Sequence, residues 1–368
     1  MKRRYILPVL LLILGITSFL PGASGQDMNY SQYFSTPIYY NPAFTGINTG
    51  LRARFLYRDQ WPSLPISFKS YYFSVDLGDR NLPGSGGLGL VINQDTPGVG
   101  LINNFGAALT IGVRIPITSY MVTQFGVKAG IMQRRINWDD MVFASQLDPK
   151  YGNIYVANFT APDASKRVVP DFGVGGVMQF INPGGTISGN LGLAVDHIFK
   201  PDVSFLSTGS SPYPRKWVGQ FDVVFNTGPG SSSMMSRSFD EPLKVQIGGI
   251  YQNQAELNSL QVGLNLLKYN IYVGAWYKST MTGVVNSSMV LLAGYKYNFY
   301  DDMNLKFMYS YDLQISGALQ GTGGAHEISL ILEFDKLSIF GGGGGGSYLP
   351  GSGGRRAGGG PMECPTFY

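Results

Sequence analysis

The sequence predicts an all-β protein, a transmembrane β-barrel of about 14 antiparallel strands of the kind found in bacterial outer membranes. The first reason is a repeated alternation of apolar and polar residues, clearest in residues 304–313. Leu305 and Phe307 share one face of that strand, and Lys306 and Ser310 share the other. Repeated along the chain, with charged residues on the minority face, the pattern indicates a barrel that is apolar outside and wet inside.

The second reason is the start of the chain, where residues 1–25 are typical of a secretory signal peptide. Three basic residues precede an apolar run from Ile6 to Leu20, and small residues at 23–25 follow, so we expect cleavage before Gln26. A single transmembrane anchor is the alternative, although the apolar run is short for one. No later segment has 18 consecutive apolar residues, which excludes further helical spans.

The alternation predicts strands that share a period of two and a length of about ten residues. They are 51–58, 67–77, 86–94, 102–115, 121–135, 170–181, 188–198, 216–226, 242–253, 258–267, 269–279, 286–299, 303–315 and 325–336. The domain boundaries that follow are the signal peptide 1–25, a periplasmic N-terminal segment 26–48, the barrel 49–336 and a flexible Gly-rich periplasmic tail 337–368.

The third reason is the lengths of the connections between strands. With the N- and C-termini both periplasmic, every second connection should be a short periplasmic turn, and the others should be longer external loops. The connections predicted to be periplasmic are Gly78–Ser85, Pro116–Tyr120, Asn182–Ile187, Thr227–Glu241, Lys268 and Tyr300–Asp302. All are short except Thr227–Glu241, and the external set contains the long loops Ile136–Val169 and Phe199–Arg215.

Charged side chains should line the lumen, because a charge on the lipid face costs about 2–4 kcal/mol near the membrane midplane. The inward cations are predicted at Arg52, Arg54, Arg58, Lys128, Arg134, Lys244 and Lys306, and the inward anions at Asp76, Asp312, Glu327 and Glu333. A lumen with both signs of charge favours a salt-bridged plug over an ion-selective pore. An open pore and a soluble β-sandwich remain as alternatives.

Two segments lie outside the predicted barrel. In residues 26–48, Asn41-Pro42 followed by Gly46 indicates a tight turn, within either an element tucked into the periplasmic mouth or a simple lead-in to the first strand. Residues 341–360 form a Gly-rich linker that tethers the last residues, either as a docking tag for a periplasmic partner or as a disordered remnant. Cys364 is the only cysteine, which excludes an intramolecular disulfide.

The sequence offers little for catalysis or cofactor binding. The two histidines, His197 and His326, each follow or precede an acidic residue on a strand, and neighbours on a strand should point apart. Nucleophile-elbow, zinc-protease and phosphate-loop motifs are absent from the sequence, so we expect no catalytic residue and no cofactor. The glycines at 84, 86, 87 and 89 precede no helix and indicate close packing in strands.

Binding of metal or nucleic acid is also not expected. Asp148, Asp163 and Asp171 border the longest external loop and could bind a divalent cation, but they are too dispersed for a calcium loop, so solvated loop charge is the preferred interpretation. Removing the three cations of the signal peptide lowers the formal net charge from +4 to +1. The mature chain therefore gives no support for nucleic-acid binding.

Several motifs match one known family. They are Gln32-Tyr33-Phe34, Pro37, Asn41-Pro-Ala-Phe-Thr-Gly46, Arg58-Asp-Gln-Trp61, the strand that ends in Ser-Val-Asp76, Tyr311-Asp-Leu313, Gly324-Ala-His-Glu-Ile328 and Cys364-Pro365. In these features the chain resembles the PorP/SprF family, outer-membrane proteins of the type IX secretion system and gliding machinery of Bacteroidetes.

The resemblance implies a non-enzymatic outer-membrane component that assists secretion or cell-surface anchoring of specific cargo such as adhesins. An outer-membrane transport barrel, porin-like or for hydrophobic solutes, is the alternative. The implied partners are outer-membrane lipid, type IX secretion ring or peptidoglycan-linked periplasmic proteins, and secreted cargo with a type IX C-terminal signal. The residues nominated for interaction are Asn41, Pro42, Gly46, Arg58, Gln60, Trp61 and Cys364. Cys364 is further predicted to pair with a partner's cysteine in the oxidising periplasm.

Overall fold

Fourteen long strands close into one antiparallel barrel, as the alternating sequence predicts. The computed structural model describes residues 26–65, 67–79, 84, 86–97, 102–138, 140–156, 158, 165–206, 209–227, 243–282, 284–300, 303–316, 321–335 and 337. The predicted signal peptide, and the predicted tail apart from Leu337, lie outside these described residues, and Cys364 lies outside them too.

Each predicted strand segment overlaps one barrel strand. The strands are β1 Gly50–Gln60, β2 Phe68–Gly78, β3 Gly87–Thr96, β4 Ile102–Thr118, β5 Met121–Ile136, β8 Lys166–Ile181, β9 Ile187–Asp196, β10 Lys216–Asn226, β11 Lys244–Gln254, β12 Leu257–Lys268, β13 Ile271–Thr282, β14 Val284–Tyr300, β15 Met303–Gln314 and β16 Ala325–Phe334. Between β5 and β8, β6 Leu147–Asp148 and β7 Gly152–Asn153 form a separate small hairpin. Pairing of β1 with β16, from Leu51–Phe334 to Gln60–Ala325, closes the barrel.

The two faces of the wall follow the period of two. In β15, Lys306, Ser310 and Asp312 are buried in the lumen, whereas Phe307 and Leu313 are 46% and 45% exposed on the outer face. Large apolar side chains dominate the outer face of most other strands in the same way. An apolar exterior with a charged interior is the arrangement that lets a barrel sit in lipid, so the fold is that of an outer-membrane barrel.

The barrel has two rims, which differ in their connections. The long-loop rim is where β1, β5 and β9 end, and it carries the loops 137–165 and 197–215. The short-turn rim is where β2, β4 and β12 end, and it carries the turns 119–120 and 269–270. Among the described residues, none of the helical segments is both long and apolar enough to cross a membrane.

The N-terminal segment lies inside the barrel. It contains a 3-10 turn at Tyr33–Ser35, one α-helical turn at Pro37–Tyr40 and a second 3-10 turn at Pro42–Phe44. Prolines begin the last two turns, where a missing N–H costs nothing. We call residues 26–48 the plug, because residues 30–47 are all buried and form the centre of the hydrophobic core.

The plug corrects one expectation from the sequence. We expected either an element tucked into the periplasmic mouth or a simple lead-in to the first strand, with both chain ends periplasmic. Instead the Asp27 amide binds Gln254 at the long-loop rim, and the plug runs down to Asn48 beside Gly78 at the short-turn rim. The barrel strands end at Phe334 on the short-turn rim, so the plug begins at the opposite rim. The plug spans the lumen because its aromatic side chains fill the space that the wall encloses.

Candidate functional site within the barrel lumen

Side chains of the wall bind the main chain of the plug. The carboxylate of Glu327 accepts hydrogen bonds from the amides of Ser31 (2.7 Å) and Gln32 (2.8 Å). The side-chain amide of Gln261 donates to the main-chain carbonyl of Ser31 at 2.6 Å, and Lys278 Nζ donates to the main-chain carbonyl of Asn29 at 3.0 Å. The wall therefore satisfies main-chain groups that irregular backbone would otherwise leave unpaired in the interior.

A buried ion network holds this contact in place. Arg58 forms ion pairs with Glu327 and, at 3.1 Å, with Asp312, and its Nη1 also donates to Ser31 Oγ at 3.0 Å. The side-chain oxygen of Gln60 accepts from Arg58 Nε at 3.3 Å and Nη2 at 3.2 Å. Two nominated residues, Arg58 and Gln60, thus act together on the wall, with Arg58 touching the plug directly. Pairing also makes burial of these charges tolerable.

The Asn41–Gly46 turn lies in the middle of the lumen. The Asn41 side chain accepts from the Ala43 amide at 2.9 Å and donates to the carbonyl of Gly176 on β8 at 3.1 Å. Pro42 begins the 3-10 turn that Asn41 caps. Gly46, at φ +62°, donates its amide to Asp76, which is paired with Arg54. The contacts of Asn41, Pro42 and Gly46 are therefore within the chain, and their role in binding a partner stays a prediction.

Wall glycines allow the plug backbone to approach closely. A Cβ atom on Gly126 of β5 would lie 2.3 Å from the carbonyl carbon of Pro42, and one on Gly87 of β3 would lie 2.4 Å from Cα of Gly46. Real side chains do not tolerate such distances, so close packing is the reason for glycine here, as predicted for position 87.

Trp61 lies apart from the plug. It follows β1 at the long-loop rim, with φ +61°, and its amide donates to the carbonyl of Gly324 at 2.7 Å. Its ring meets Phe68 edge to face at 5.1 Å. Trp61 therefore anchors the loop after β1 to the loop before β16. Of the seven nominated residues, Cys364 is outside the described part of the chain.

Sequence reasoning missed a charged cluster that holds the first residues of the plug. Asp27 binds His197 Nε2 at 3.0 Å and Tyr213 Oη at 2.8 Å, and it lies 3.4 Å from Lys216 Nζ. The other ring nitrogen of His197 binds Asp171 at 2.7 Å. Lys128 completes the cluster, at 3.4 Å from Asp171 and 2.8 Å from Asp196. We call these side chains, Asp27, Lys128, Asp171, Asp196, His197, Tyr213 and Lys216, the rim cluster.

The rim cluster corrects a second expectation, that Asp196 and His197 point apart. β9 ends at Asp196, and His197 adopts φ +55°, so the chain turns and both side chains are buried in the cluster. Burial lowers the pKa of His197, but Asp27 and Asp171 outweigh it and raise the pKa to about 10. The imidazole is therefore a cation at neutral pH, held between two carboxylates.

The acidic loop residues do not meet at one site. Asp148 accepts hydrogen bonds from the amides of Lys150 and Tyr151 within the β6–β7 hairpin, while Asp171 belongs to the rim cluster. Asp163 lies outside the described residues. Within the described ranges, no group of three or more His, Cys, Asp or Glu side chains is arranged to hold a metal ion.

Comparison with known proteins decides the family. The family model for the type IX secretion system membrane protein PorP/SprF matches residues 23–332. The chain belongs to the PorP/SprF family. This PorP/SprF protein is thus an outer-membrane component of the type IX secretion system, associated with the membrane and with that machinery. No curated protein matches it in sequence.

Solved structures with similar folds are outer-membrane proteins of low sequence identity. A FadL homologue from Pseudomonas aeruginosa has 10% identity and a TM-score of 0.45, over 82% of this chain and 94% of that chain. Omp33 from Acinetobacter baumannii has 8% identity and a TM-score of 0.36, over 79% and 99%. The CymD monoaromatic hydrocarbon channel has 8% identity and a TM-score of 0.39, over 84% and 93%.

Proposed function

We propose that this PorP/SprF protein is a non-enzymatic component that assists secretion or cell-surface anchoring of specific cargo, such as adhesins, and that it works with its lumen closed. The observation that carries the proposal is the plug itself. It fills the lumen from rim to rim, and polar or charged side chains on at least ten of the fourteen wall strands (β1, β2, β4, β5, β10, β11, β12, β13, β15 and β16) hydrogen-bond or ion-pair with it.

The cost of removing the plug supports a permanent closure. Seven large plug side chains are at most 1% exposed: Tyr30, Tyr33, Phe34, Ile38, Tyr40, Phe44 and Ile47. Burial of one such side chain is worth about 1.5–3 kcal/mol, so expelling the plug would cost on the order of 10 kcal/mol before its hydrogen bonds are counted. That is comparable to the whole stability of many domains. A routine opening of the lumen is therefore not favoured.

The alternative, a transport barrel, finds less support. A cavity lies beside the rim cluster, lined by Met28, Tyr39, Asp95 and Asn104 among others, and has a volume of about 60 Å³. That is room for a few water molecules rather than for a solute molecule. A closed barrel that belongs to a secretion system fits a role in holding other proteins better than a role in conduction.

The proposed partners follow from the family and from the two rims. On the short-turn rim, taken as periplasmic, the protein would meet type IX ring or peptidoglycan-linked proteins, with Cys364 in the tail as a candidate for a disulfide to a partner. On the long-loop rim, secreted cargo with a type IX C-terminal signal would dock. Trp61 and the loops at that rim would contact it.

A clean deletion strain tests the proposal. Surface and culture-medium proteins are compared by mass spectrometry between wild type, deletion and complemented deletion. We expect specific cargo with type IX signals to be lost from the surface or released to the medium, and restored on complementation. Normal surface display of every such protein in the deletion strain would overturn the proposal.

A further inference from the structure

An unusual concentration of cations lies where β5 and β8 reach the long-loop rim. In the register of these two strands, Arg135 lies opposite Lys166, and Arg134 lies opposite Arg167. Asp202 of the neighbouring loop interacts electrostatically with Arg167, but like charges such as Arg135 and Lys166 on neighbouring strands destabilise a sheet unless an anion lies near them. Such a ladder end therefore suggests an external anion.

The two pairs face different ways. Arg134 turns inward, where its Nε donates to Asn104 at 3.2 Å and its guanidinium lies 6.0 Å from the Tyr213 ring centroid. Arg135 and Lys166 share the outer face, and both are exposed. Neither of them forms an ion pair with any residue in the described part of the chain. The nearest acid on β8, Asp171, is bound inside the rim cluster.

Directly below these cations the outer face becomes apolar. Two residues further along β8 is Val168, 48% exposed, and Ile131 on β5 is also 48% exposed. At about 3.3 Å per residue, the charged groups lie about 7 Å above the start of this apolar band. A headgroup charge lies at a similar small height above the acyl chains of a lipid.

The neighbouring loop adds to both parts of this surface. Phe199, 73% exposed, meets Phe172 of β8 edge to face at 5.5 Å, which extends the apolar band outward. Lys200 follows it and is exposed, and exposed Arg215 donates its Nε to the carbonyl of Ile198 at 2.8 Å, next to the same turn. The Ile198 amide donates to the carbonyl of Phe172, six residues or about 20 Å along β8 from Lys166, so Lys200 and Arg215 border the far end of this apolar surface.

We propose that this outer face of β5 and β8 binds an anionic membrane lipid, with Arg135 and Lys166 on its phosphate group. The acyl chains lie on Ile131, Val168 and the Phe172–Phe199 pair. Since long loops face outward in outer-membrane barrels, the lipid belongs to the outer leaflet, where a phosphorylated glycolipid supplies both parts. A fixed lipid here would set the orientation of the loops 137–165 and 197–215 beside it.

Lipid binding to the full-length purified protein tests this site. Native mass spectrometry in detergent measures binding of a bis-phosphorylated glycolipid (lipid A), of its dephosphorylated form and of inorganic phosphate. The test variant is Arg135→Gln/Lys166→Gln. The matched control is Lys69→Gln/Lys150→Gln, which removes two exposed cations elsewhere on the surface. Heat-modifiable gel mobility confirms that each variant is folded.

Wild type and control should bind the bis-phosphorylated lipid alike, and the test variant at least about tenfold more weakly, because it loses charge-assisted contacts. The dephosphorylated lipid should bind wild type and test variant equally and weakly. Equal affinity of the test variant and wild type for the bis-phosphorylated lipid would overturn the proposal. Binding of inorganic phosphate as tight as that of the lipid would also overturn it, as a simple anion site. No lipid binding at all would overturn it in favour of an acidic protein partner.

Discussion

At the scale of single residues, Glu327 holds the plug more directly than any nominated residue. It accepts two plug amides and pairs with Arg58. We expect Glu327→Gln to lower the free energy of unfolding by about 3 kcal/mol, since it breaks a buried ion pair and replaces one of the two acceptor oxygens with an NH2 donor. Urea unfolding of the folded barrel in detergent measures this.

Glu256→Gln is the control, because Glu256 is exposed in the turn between β11 and β12. A surface change of that kind should alter stability by less than about 0.5 kcal/mol. If the two variants were equally stable, Glu327 would not support the plug as described.

His197 should make stability depend on pH in the alkaline range. Its pKa rises from an ordinary 6.5 to about 10 in the folded protein, because Asp27 and Asp171 outweigh the cost of burial. A group with a raised folded pKa contributes stability that is complete below pH 6.5 and is lost as pH rises toward 10. The melting-temperature advantage of wild type over His197→Gln should therefore shrink across that range.

The control for this prediction is His326→Gln, which removes the histidine that contacts Tyr309 on the outer face. That variant should keep the pH dependence of wild type. If the difference in melting temperature between wild type and His197→Gln stayed constant from pH 6 to 10, the charge of His197 would not stabilise its contact with Asp27.

At the scale of elements, the plug depends on glycine in the strand it crosses. Gly126→Ala on β5 would place a methyl group 2.3 Å from the main chain of the plug at Pro42. The clash can be relieved only if the turn at Pro42 shifts. We expect a loss of about 1–3 kcal/mol, as for overpacked cores. On the outer face of β8, a Cβ at Gly176 would meet Phe125 at an ordinary 3.4 Å, so Gly176→Ala is the matched control. Equal stability of both variants would argue against tight contact between plug and wall.

The strands could be predicted from the sequence, and the mixed lumen charges favoured a closed lumen, but that residues 26–48 close it could not be predicted. A strand such as β15 shows a period of two because lipid and lumen impose opposite polarity on its faces. The plug is made of helical turns of three or four residues, too short to show any period. Asn41, Pro42 and Gly46 indicated a tight turn correctly, but nothing local shows that the turn lies inside a barrel.

The pairing of charges was beyond prediction for a related reason. Arg58 and Glu327 could each be assigned to the lumen by strand parity, yet their contact depends on the register that joins the first strand to the last. His197 was misplaced because the predicted strand ran two residues past the end of β9, where His197 itself adopts a left-handed conformation that breaks the alternation. Long-range register and strand ends are the information that alternation lacks.

At the scale of the whole molecule, the central claim is that the protein works with the plug in place. Thr45 in the plug and Thr110 on β4 have hydroxyl oxygens 2.8 Å apart, so cysteines at both positions are close enough for a disulfide. In a Cys364→Ser background this bond would lock the plug to the wall. The Thr45→Cys single variant in the same background is the control, and non-reducing mass spectrometry establishes that the lock has formed.

The measurement that tests the claim most directly is the surface display of type IX cargo in a deletion strain that carries the locked barrel. We predict display equal to that of the single-cysteine control, because no step requires the lumen to open. Display that fails with the lock and returns when the disulfide is reduced would contradict the account and make the plug a moving gate.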